Sequence, residues 1–414
     1  MIQESKRIAR THKSWFKRIV FWLHLWLGII SGLVVFVVSI TGCMYVFEKD
    51  IRDAFYTHQS VKAQQKPFLP PSQLKAITRQ HAFPNTWDTG RFRITGVVYG
   101  AANKSAYATY TKKGQGFTML YMNPYDGSII KEKVLNRDFF RLVLAGHFYL
   151  WLPAKIGQPV IATSVLIFVV LLITGILMWW PKNLKKAARN NGFKISWKAN
   201  FKRVNYDLHN VLGFYVSLIA LVIALTGLVW GFKWFEKGVY WVTSGGKAMP
   251  EAKKLTSDTT QIAGYLSTKT EDILYAQMRK EYAGSKGSLN IGLPQQKADV
   301  FSVTHNPDLS TYYKRETRRF DQYTLKELKS TGVSAGKFEN AAFADKLHRM
   351  NYDIHVGAVL GWPGKILAFF ASLICASLPI TGFYIWWGRR RKKKKTASMP
   401  RLKRHTVVQQ LNEH

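Results

Sequence analysis

Four histidines lie at the ends of long apolar stretches, where an imidazole is costly unless it serves a purpose. They are His24, His147, His209 and His355. An ionisable side chain at membrane depth is a candidate functional residue, because moving it into hydrocarbon is unfavourable. A neutral imidazole binds metals and an imidazole also relays protons, so ligation and proton transfer are the two chemistries to weigh.

The elements that must position these histidines are four apolar spans, at residues 19–47, 156–180, 208–232 and 366–388. None of them contains Lys, Arg, Asp or Glu. Each is long enough to cross a bilayer, which takes about 20 residues at about 1.5 Å rise per residue. The first span is too long for a signal peptide and has no obvious cleavage site, so we expect it to be retained.

The net charge of +36 is concentrated beside the spans, in residues 1–18, 181–205 and 388–414. This distribution argues against a nucleic-acid binder and indicates membrane topology, since basic loops stay on the cytoplasmic side. We therefore expect a membrane protein with both termini in the cytoplasm. The long segments 48–145 and 236–345 would then lie on the outer side, which is the periplasm if the membrane is a bacterial inner membrane.

Cysteine usage excludes several classes of site. Only Cys43 and Cys375 are present, so the chain has no disulfide framework and no CxxCH motif for covalent haem attachment. No GxGxxG fingerprint occurs either, which leaves no obvious place for a nucleotide or flavin.

The chain contains two similar halves. The pattern HxxxG followed by TG occurs at 24–42 and again at 209–227, with 17 residues from His to Thr in both. The second and fourth spans end alike, at 173–182 and 380–389. Helix packing explains the TG pairs better than cofactor contact does. For Gly28 and Gly213, packing and room for a flat macrocycle are equally good explanations.

Topology pairs the histidines across the two halves. His24 and His209 should lie near the cytoplasmic face, and His147 and His355 near the outer face. Two imidazoles from facing helices are the axial ligands that six-coordinate haem iron accepts, so we expect one haem near each face. His348 is an alternative outer ligand, since it lies two helical turns before His355.

Other chemistries stay open at this point. Zinc or copper is a weaker interpretation, because structural zinc takes three or four close ligands. A proton relay in a proton-coupled transporter is possible for histidines, although the apolar spans hold no carboxylate. Four basic side chains near the outer histidines are either partners for haem propionates or interfacial anchors, namely Arg141, Lys155, Arg349 and Lys365.

The outside segments show alternating stretches typical of α+β modules. The predicted helices are 72–82 and 270–283, and the predicted strand regions are 91–100, 105–113, 117–132, 301–317 and 320–328. The fold class predicted is thus a four-transmembrane-helix bundle of two repeats with two periplasmic α+β modules.

These motifs resemble the PepSY-associated transmembrane-helix family. The likeness covers residues 15–392 and rests on the repeated HxxxG…TG spans, the ITGxxxWW exits and the turn YMNPYDGSII at 121–130. FDQYTLKEL at 320–328 is a weaker second copy of that turn. HFYLWLPAKIG at 147–157 and YDIHVGAVLGWPGK at 352–365 are also similar to the family.

The resemblance implies a function. The family includes iron-regulated inner-membrane proteins and ferrisiderophore reductases with two b-type haems, so it implies a bacterial inner-membrane location. It implies two haem b held by His24 with His209 and by His147 with His355, and electron flow from a cytoplasmic or quinol donor to a ferric siderophore or other ferric chelate. It implies an enzyme whose catalytic residues stay unknown. The alternative is a membrane-anchored PepSY binding or regulatory module without redox activity.

The sequence divides into nine segments. They are 1–18 (cytoplasmic N-terminus), 19–47 (first span), 48–145 (PepSY-like module), 146–180 (His-bearing pre-helix and second span), 181–207 (basic loop), 208–235 (third span), 236–345 (second PepSY-like module), 346–388 (His-bearing pre-helix and fourth span) and 389–414 (basic tail). Five tyrosines of the modules are candidates to cradle the chelate or simply to pack a sheet: Tyr107, Tyr110, Tyr121, Tyr312 and Tyr313.

Overall fold

The computed structural model describes residues 15–84, 92–112, 116–180, 192–260 and 269–398. Of the basic segments 1–18, 181–205 and 388–414, residues 1–14, 181–191 and 399–414 lie outside the described residues. The helices are α1 (Trp15–Val46), α2 (Glu48–Phe55), α3 (Pro71–Ala82), α4 (Phe139–Tyr149), α5 (Ala154–Trp179), α6 (Phe201–Asp207), α7 (Gly213–Gly231), α8 (Lys233–Thr243), α9 (Thr270–Glu281), α10 (Phe343–His355) and α11 (Gly361–Ser398). Short 3₁₀ turns lie at Thr57–Gln59, Leu135–Arg137 and Ala358–Leu360.

Four stretches of described helix are long and apolar enough to cross a membrane: Trp15–Phe55, Ala154–Trp179, Phe201–Gly231 and Ala358–Arg391. Helices suit these sequences because every backbone hydrogen bond is satisfied within the segment, which hydrocarbon requires. The chain is therefore a multi-pass membrane protein.

The four membrane helices form a ring in which each contacts two neighbours. α1 packs on α5 and α11, and α7 packs on the same two helices, so α1 lies diagonally across from α7. Small residues permit these close approaches. A Cβ added to Gly231 would come within 2.9 Å of the Ala162 side chain, and one on Gly32 would lie 3.4 Å from Pro379.

The third membrane helix is not uniformly α-helical. A π-helical turn at Leu208–Leu212 joins α6 to α7, and His209 lies within it. Such turns insert one extra residue per turn and occur frequently at functional sites.

The extramembrane segments form one antiparallel sheet in the order β4-β3-β2-β1-β5-β6-β7-β8. The strands of both predicted modules lie in this one sheet, since β1 pairs with β5 and joins the two sets of strands. The pairing removes two exposed strand edges, which would otherwise invite aggregation. The strands are β1 (Phe92–Tyr99), β2 (Ala106–Lys112), β3 (Gly116–Met122), β4 (Ile129–Val134), β5 (Ser288–Gly292), β6 (Val300–Asn306), β7 (Glu316–Asp321) and β8 (Glu327–Leu328).

The main core of the extramembrane part lies between one face of the sheet and helices α3 and α9. Leu74 and Met278 from these helices are fully buried against Val97 of the sheet. Tyr99 stacks on Tyr275 with ring centres 4.4 Å apart. The opposite face of the sheet is polar and turns towards the helix bundle.

The secondary structure agrees with much of the prediction. The predicted helices 72–82 and 270–283 are confirmed as α3 and α9. Strand regions 91–100 and 105–113 contain β1 and β2, and 117–132 contains β3, a turn and most of β4. Strand β5 was not predicted, because its five residues SLNIG end on a glycine and are too short for a clear alternation.

Candidate functional site

The structure brings the four histidines together as two pairs. The rings of His24 and His209 lie 6.5 Å apart between centres, and those of His147 and His355 lie 6.1 Å apart. The ring planes are steeply inclined in both, at 87° and 69°. We call His147 and His355 the sheet-side pair, because the cavity beside them reaches the sheet, and His24 and His209 the distal pair.

Short helices position the sheet-side pair. His147 lies on α4 and His355 is the last residue of α10. Each of these helices precedes a membrane helix and ends in a sharp turn. α4 is followed by Leu150 and Trp151, whose φ values are 53° and 57°, and α10 by Gly357 at 76°. The turns fold each short helix back against the bundle, so its last turn points a ring inward.

Each ring of the sheet-side pair is held through its Nδ1 atom by a membrane helix. His147 Nδ1 lies 3.0 Å from the Val38 carbonyl oxygen and 3.3 Å from Thr41 Oγ1. His355 Nδ1 lies 3.0 Å from the carbonyl oxygen of Ile223 and 3.0 Å from Thr226 Oγ1.

The distal pair has the same contacts. His24 Nδ1 lies 2.9 Å from Thr174 Oγ1, and His209 Nδ1 lies 2.9 Å from Thr381 Oγ1. The carbonyl three residues before each threonine also accepts a hydrogen bond from the ring. All four rings therefore share one arrangement, although they come from four different helices.

The threonine hydroxyls determine which ring nitrogen carries the proton. Each hydroxyl donates to the carbonyl four residues earlier, at distances of 2.7, 2.8, 2.8 and 3.0 Å for Thr41–Val37, Thr174–Val170, Thr226–Val222 and Thr381–Ser377. Its oxygen therefore meets Nδ1 as an acceptor, so Nδ1 of the neutral imidazole is the protonated nitrogen. Nε2 keeps its lone pair, and within the described residues no hydrogen bond to Nε2 occurs in any of the four rings.

The glycine of each TG pair leaves room for a ring. An added Cβ would lie 3.1 Å from His209 Cε1 at Gly382, 3.3 Å from His147 Cε1 at Gly42, and 3.4–3.5 Å from the corresponding atoms at Gly175 and Gly227. These are contacts between helices, as the packing explanation of the TG pairs predicts. Each pair contacts a histidine from another helix, which spacing along the chain could not show. Gly28 and Gly213 instead face the side chains of Leu171 and Leu378, at 3.9 and 3.6 Å.

The other predicted site residues lie elsewhere. His348 Nε2 lies 3.1 Å from Glu236 Oε1, so His355 and not His348 is the partner of His147. Lys365 is buried and donates to Asp50 at 2.7 Å, which makes it a structural ion pair. Arg141 and Lys155 are exposed. Arg349 lines the cavity next to the sheet-side pair.

The five candidate tyrosines separate into two groups. Tyr110 is buried in the sheet core and donates to Glu132, and Tyr121 is buried beside His58. Tyr107 packs on Tyr121 with ring centres 5.3 Å apart. Only Tyr312 and Tyr313 of the five line the cavity.

A cavity of about 1140 Å³ extends from the sheet-side pair to the polar face of the sheet. Its bundle wall includes both histidines and Trp230, and its sheet wall includes Thr304 and Arg319. The volume exceeds the roughly 300–1,000 Å³ typical of sites for small organic ligands.

A family comparison covers most of the chain. The model of the PepSY-associated TM region matches residues 21–389. The chain belongs to this family. A search of curated proteins found no match. The match confirms the family predicted from the repeated motifs.

This PepSY-associated protein also contains two buried carboxylates that sequence reasoning missed. Asp207 and Asp353 have no exposed surface, and each lies two residues before a histidine. Asp353 accepts the backbone N–H groups of Tyr312 and Tyr313 at 2.9–3.2 Å. Asp207 accepts the N–H of Ser196 at 3.1 Å.

Two asparagines, four residues before the same histidines, complete the arrangement in the PepSY-associated chain. Asn205 donates to the carbonyl of Thr381 and Asn351 to that of Thr226, both at 3.1 Å. Each therefore ties a histidine-bearing segment to the TG pair that holds its ring. The repeated motifs NYDLH at 205–209 and NYDIH at 351–355 are the sequence signal from which these residues could be predicted.

Bare-metal chemistry has no support in the described part of this PepSY-associated chain. No group of three or more His, Cys, Asp or Glu side chains there is placed to hold a metal ion. Two imidazoles per site suit a metal whose other ligands come from a cofactor.

Proposed function

We propose that this protein is a dihaem b-type cytochrome of the bacterial inner membrane that passes electrons outward to ferric iron, held as a siderophore or another chelate in the periplasm. The observation that carries the proposal is the arrangement of the four rings. They form two facing pairs, each Nδ1 is committed to a threonine and a carbonyl, and each Nε2 is free to ligate.

The ring separations fit a shared iron. A metal bonded to one nitrogen of each ring at about 2 Å places the two ring centres about 6 Å apart. The separations of 6.5 and 6.1 Å agree with this value. Ligated histidines usually donate their other N–H to a protein acceptor, which fixes ring orientation and raises ligand basicity. Thr174 and Thr381 do this for the distal pair, and Thr41 and Thr226 for the sheet-side pair.

Two such sites would span the membrane. Seventeen residues separate His24 from Thr41, which contacts the other pair. At about 1.5 Å rise per residue, the two layers of rings lie about 25 Å apart along the helix. A haem held at each layer supplies reversible one-electron chemistry. The chain's own part is to ligate, to space the two sites and to keep water out of the path.

Charge supports the orientation. Arg389, Arg390 and Arg391, in the last third of α11, pack on the rings of Phe21, Trp386 and Trp387, respectively, at the end of the bundle with the distal pair. By the positive-inside rule this end is cytoplasmic, so both termini are inside and the sheet is periplasmic. The strand order, which reads alike from both edges inward, and the four equivalent histidine contacts support two repeats related across the bundle.

The reaction is a one-electron reduction. Each ferric ion that gains one electron becomes ferrous, so a quinol that gives two electrons and releases two protons reduces two ferric ions. The donor is a quinol or a cytoplasmic partner, because the sequence carries no nucleotide-binding fingerprint.

Anaerobic stopped-flow spectroscopy tests this function. Purified full-length protein reduced with dithionite is mixed with a panel of ferric siderophores, and the haem bands are followed. We expect the reduced protein to show a b-type haem spectrum, and we expect at least one ferric siderophore of the panel to reoxidise the haem. A colourless preparation made with ample haem supply would contradict the cytochrome and favour a membrane-anchored binding module. Haem bands that no ferric chelate reoxidises would contradict the reductase alone.

A further inference from the structure

The cavity beside the sheet-side pair has a cationic outer wall. Among the described residues that line it, five are basic and none is Asp or Glu: Lys253, Lys254, Arg315, Arg319 and Arg349. Hydroxyl groups of Thr317, Thr331 and Ser334 lie among them. A cleft lined by charges of one sign and walled by protein concentrates ligands of the opposite sign.

Within the described part of the chain, none of these five cations forms a close ion pair with a carboxylate. The Arg349 guanidinium donates to the carbonyls of Gly336 and Arg315, at 3.1 and 2.8 Å. Carbonyls orient the group but leave its charge in place. Burial lowers the pKa of Arg349, an effect that nearby carboxylates such as Glu339 oppose, so this half-buried cation would gain from an anionic partner.

Strand alternation assigns these charges to the cavity. In β7, Thr317 and Arg319 face the bundle, whereas Phe320 is buried in the sheet core. Arg318 points to the core side with Phe320 and is paired with Glu281 and Glu327. Two adjacent arginines thus have opposite environments, and only the one in the cavity lacks a described carboxylate.

The site helix holds the adjoining loop in place. The buried carboxylate of Asp353 fixes the backbone at Tyr312 and Tyr313, immediately before Arg315. Arg349, one turn earlier on the same helix, fixes the carbonyl of Arg315. The cationic wall is therefore attached to the helix that carries His355.

We propose that this cleft binds a ferric chelate of net negative charge, such as a catecholate or carboxylate complex, directly above the sheet-side pair. The inference rests on the proposed function and names its substrate class. A haem at this pair brings two propionates, which leaves three of the five cations for a further anion. Complexes of ferric iron with catecholates or citrate are anionic, whereas trihydroxamate complexes are neutral or cationic.

Redox-silent gallium(III) complexes separate binding from electron transfer. Purified full-length protein in detergent is titrated with a gallium(III) tricatecholate, gallium(III) citrate and a gallium(III) trihydroxamate, and affinity is measured by calorimetry. We expect the anionic complexes to bind at least about tenfold more tightly than the trihydroxamate at low salt. The difference should shrink as salt shortens the screening length to about 3 Å at 1 M.

Matched charge variants locate the site. The double variant Arg315→Gln with Arg319→Gln should weaken tricatecholate binding by about tenfold, since two exposed or half-exposed charge contacts are lost. Its binding of the trihydroxamate should not change. Lys280→Gln removes an exposed cation from α9 on the opposite side of the sheet and should leave both affinities unchanged.

Three results would overturn the inference. One is equal or tighter binding of the trihydroxamate by the wild-type protein. Another is unchanged tricatecholate affinity in the double variant. The third is loss of chelate binding when vesicles of anionic phospholipid are added, which would assign the cations to lipid headgroups. If the double variant does not fold, the salt dependence of the wild-type preference decides. Haem absorbance recorded on the same samples tests the cytochrome proposal separately, so a failure of chelate binding can be distinguished from a failure of the proposed function.

Discussion

At the scale of single residues, the repeating unit is a histidine ring held by a Thr–Gly pair from another helix. The threonine hydroxyl oxygen accepts a hydrogen bond from Nδ1–H, and the glycine, which has no side chain, leaves space for the ring. Under the proposed function, ligation through Nε2 depends on two residues whose described contacts are to the ring itself. This dependence can be tested by substitutions that leave the histidines intact.

Thr226→Val should change the sheet-side site without emptying it. Valine is nearly isosteric but cannot accept the Nδ1–H of His355, which leaves only the Ile223 carbonyl as acceptor. A weaker acceptor makes the imidazole a poorer donor to ferric iron, so the midpoint potential should rise, by up to about 60 mV for a tenfold effect on one electron. Redox titration measures it, and Thr226→Ser should keep the wild-type value. An unchanged potential in the valine variant would contradict the role of the threonine.

Gly382→Ala should disturb the distal site. The new Cβ would lie 3.1 Å from His209 Cε1, so the ring must shift. Alanine otherwise favours a helix over glycine by about 1 kcal/mol, so any loss is attributable to the ring. We expect the haem content to fall from two towards one per chain. Gly28→Ala, whose nearest neighbour is Leu171 at 3.9 Å, is the matched control and should retain both. Full haem content in Gly382→Ala would count against the distal site.

At the scale of elements, a buried carboxylate fixes helix α4. Asp138 caps the helix by accepting the N–H of Arg141 at 3.2 Å, and it pairs with Arg52 and Lys133. Burial alone would raise the pKa of Asp138, but the hydrogen bonds from Arg52 and Lys133 outweigh it and lower the pKa to about 2. One side chain therefore connects α2, β4 and the helix that carries His147.

This ion cluster predicts a pH dependence of stability. The folded pKa of Asp138 lies below the unfolded value of about 4, so its contribution is present above pH 4 and is lost as the pH falls through about 2. Asp138→Asn should lower the free energy of unfolding by about 2 kcal/mol at neutral pH. The variant should also show a smaller decrease in the free energy of unfolding between pH 4 and pH 2 than the wild type. Thermal unfolding in detergent at several pH values measures both, and parallel curves for the variant and wild type would contradict the assignment.

The sequence predicted elements better than it predicted their contacts. The four spans and most strands follow from local composition and alternation, which a window of residues contains. The membrane helices are apolar on every side, so nothing in them indicates which neighbour each faces. For that reason the contact between Thr41 and His147 was not predictable from spacing. The pairing of β1 with β5 was not predictable either, because these strands are far apart along the chain and local alternation does not indicate a strand's partner. The repeated NYDxH motifs at 205–209 and 351–355 are a local signal, so the buried Asp and Asn before each histidine are predictable from sequence.

At the scale of the whole molecule, one sheet covers one end of the bundle and basic residues mark the other. The sheet joins both sets of strands through the pair of Val97 and Ile291, so the two parts form one lid over the cavity. Electron flow towards an outside chelate requires this lid to be periplasmic. The orientation is therefore part of the function proposed.

Cysteine labelling tests the orientation. Both native cysteines, Cys43 and Cys375, are buried, so background reaction should be low. Lys280→Cys, on the sheet side, should react with a membrane-impermeant maleimide in intact spheroplasts. Lys198→Cys, beside α6 at the basic end, should react only after permeabilisation. The opposite pattern would place the sheet in the cytoplasm and contradict outward electron flow.

The haem content of histidine variants tests the central claim most directly. Pyridine haemochrome analysis of the purified wild-type chain should give two haem b per polypeptide. The variants His24→Ala with His209→Ala, and His147→Ala with His355→Ala, should each retain one. His348→Ala, whose ring contacts Glu236 instead, should retain both. A full complement of two haems in either paired variant, or none in the wild type, would contradict ligation by these rings.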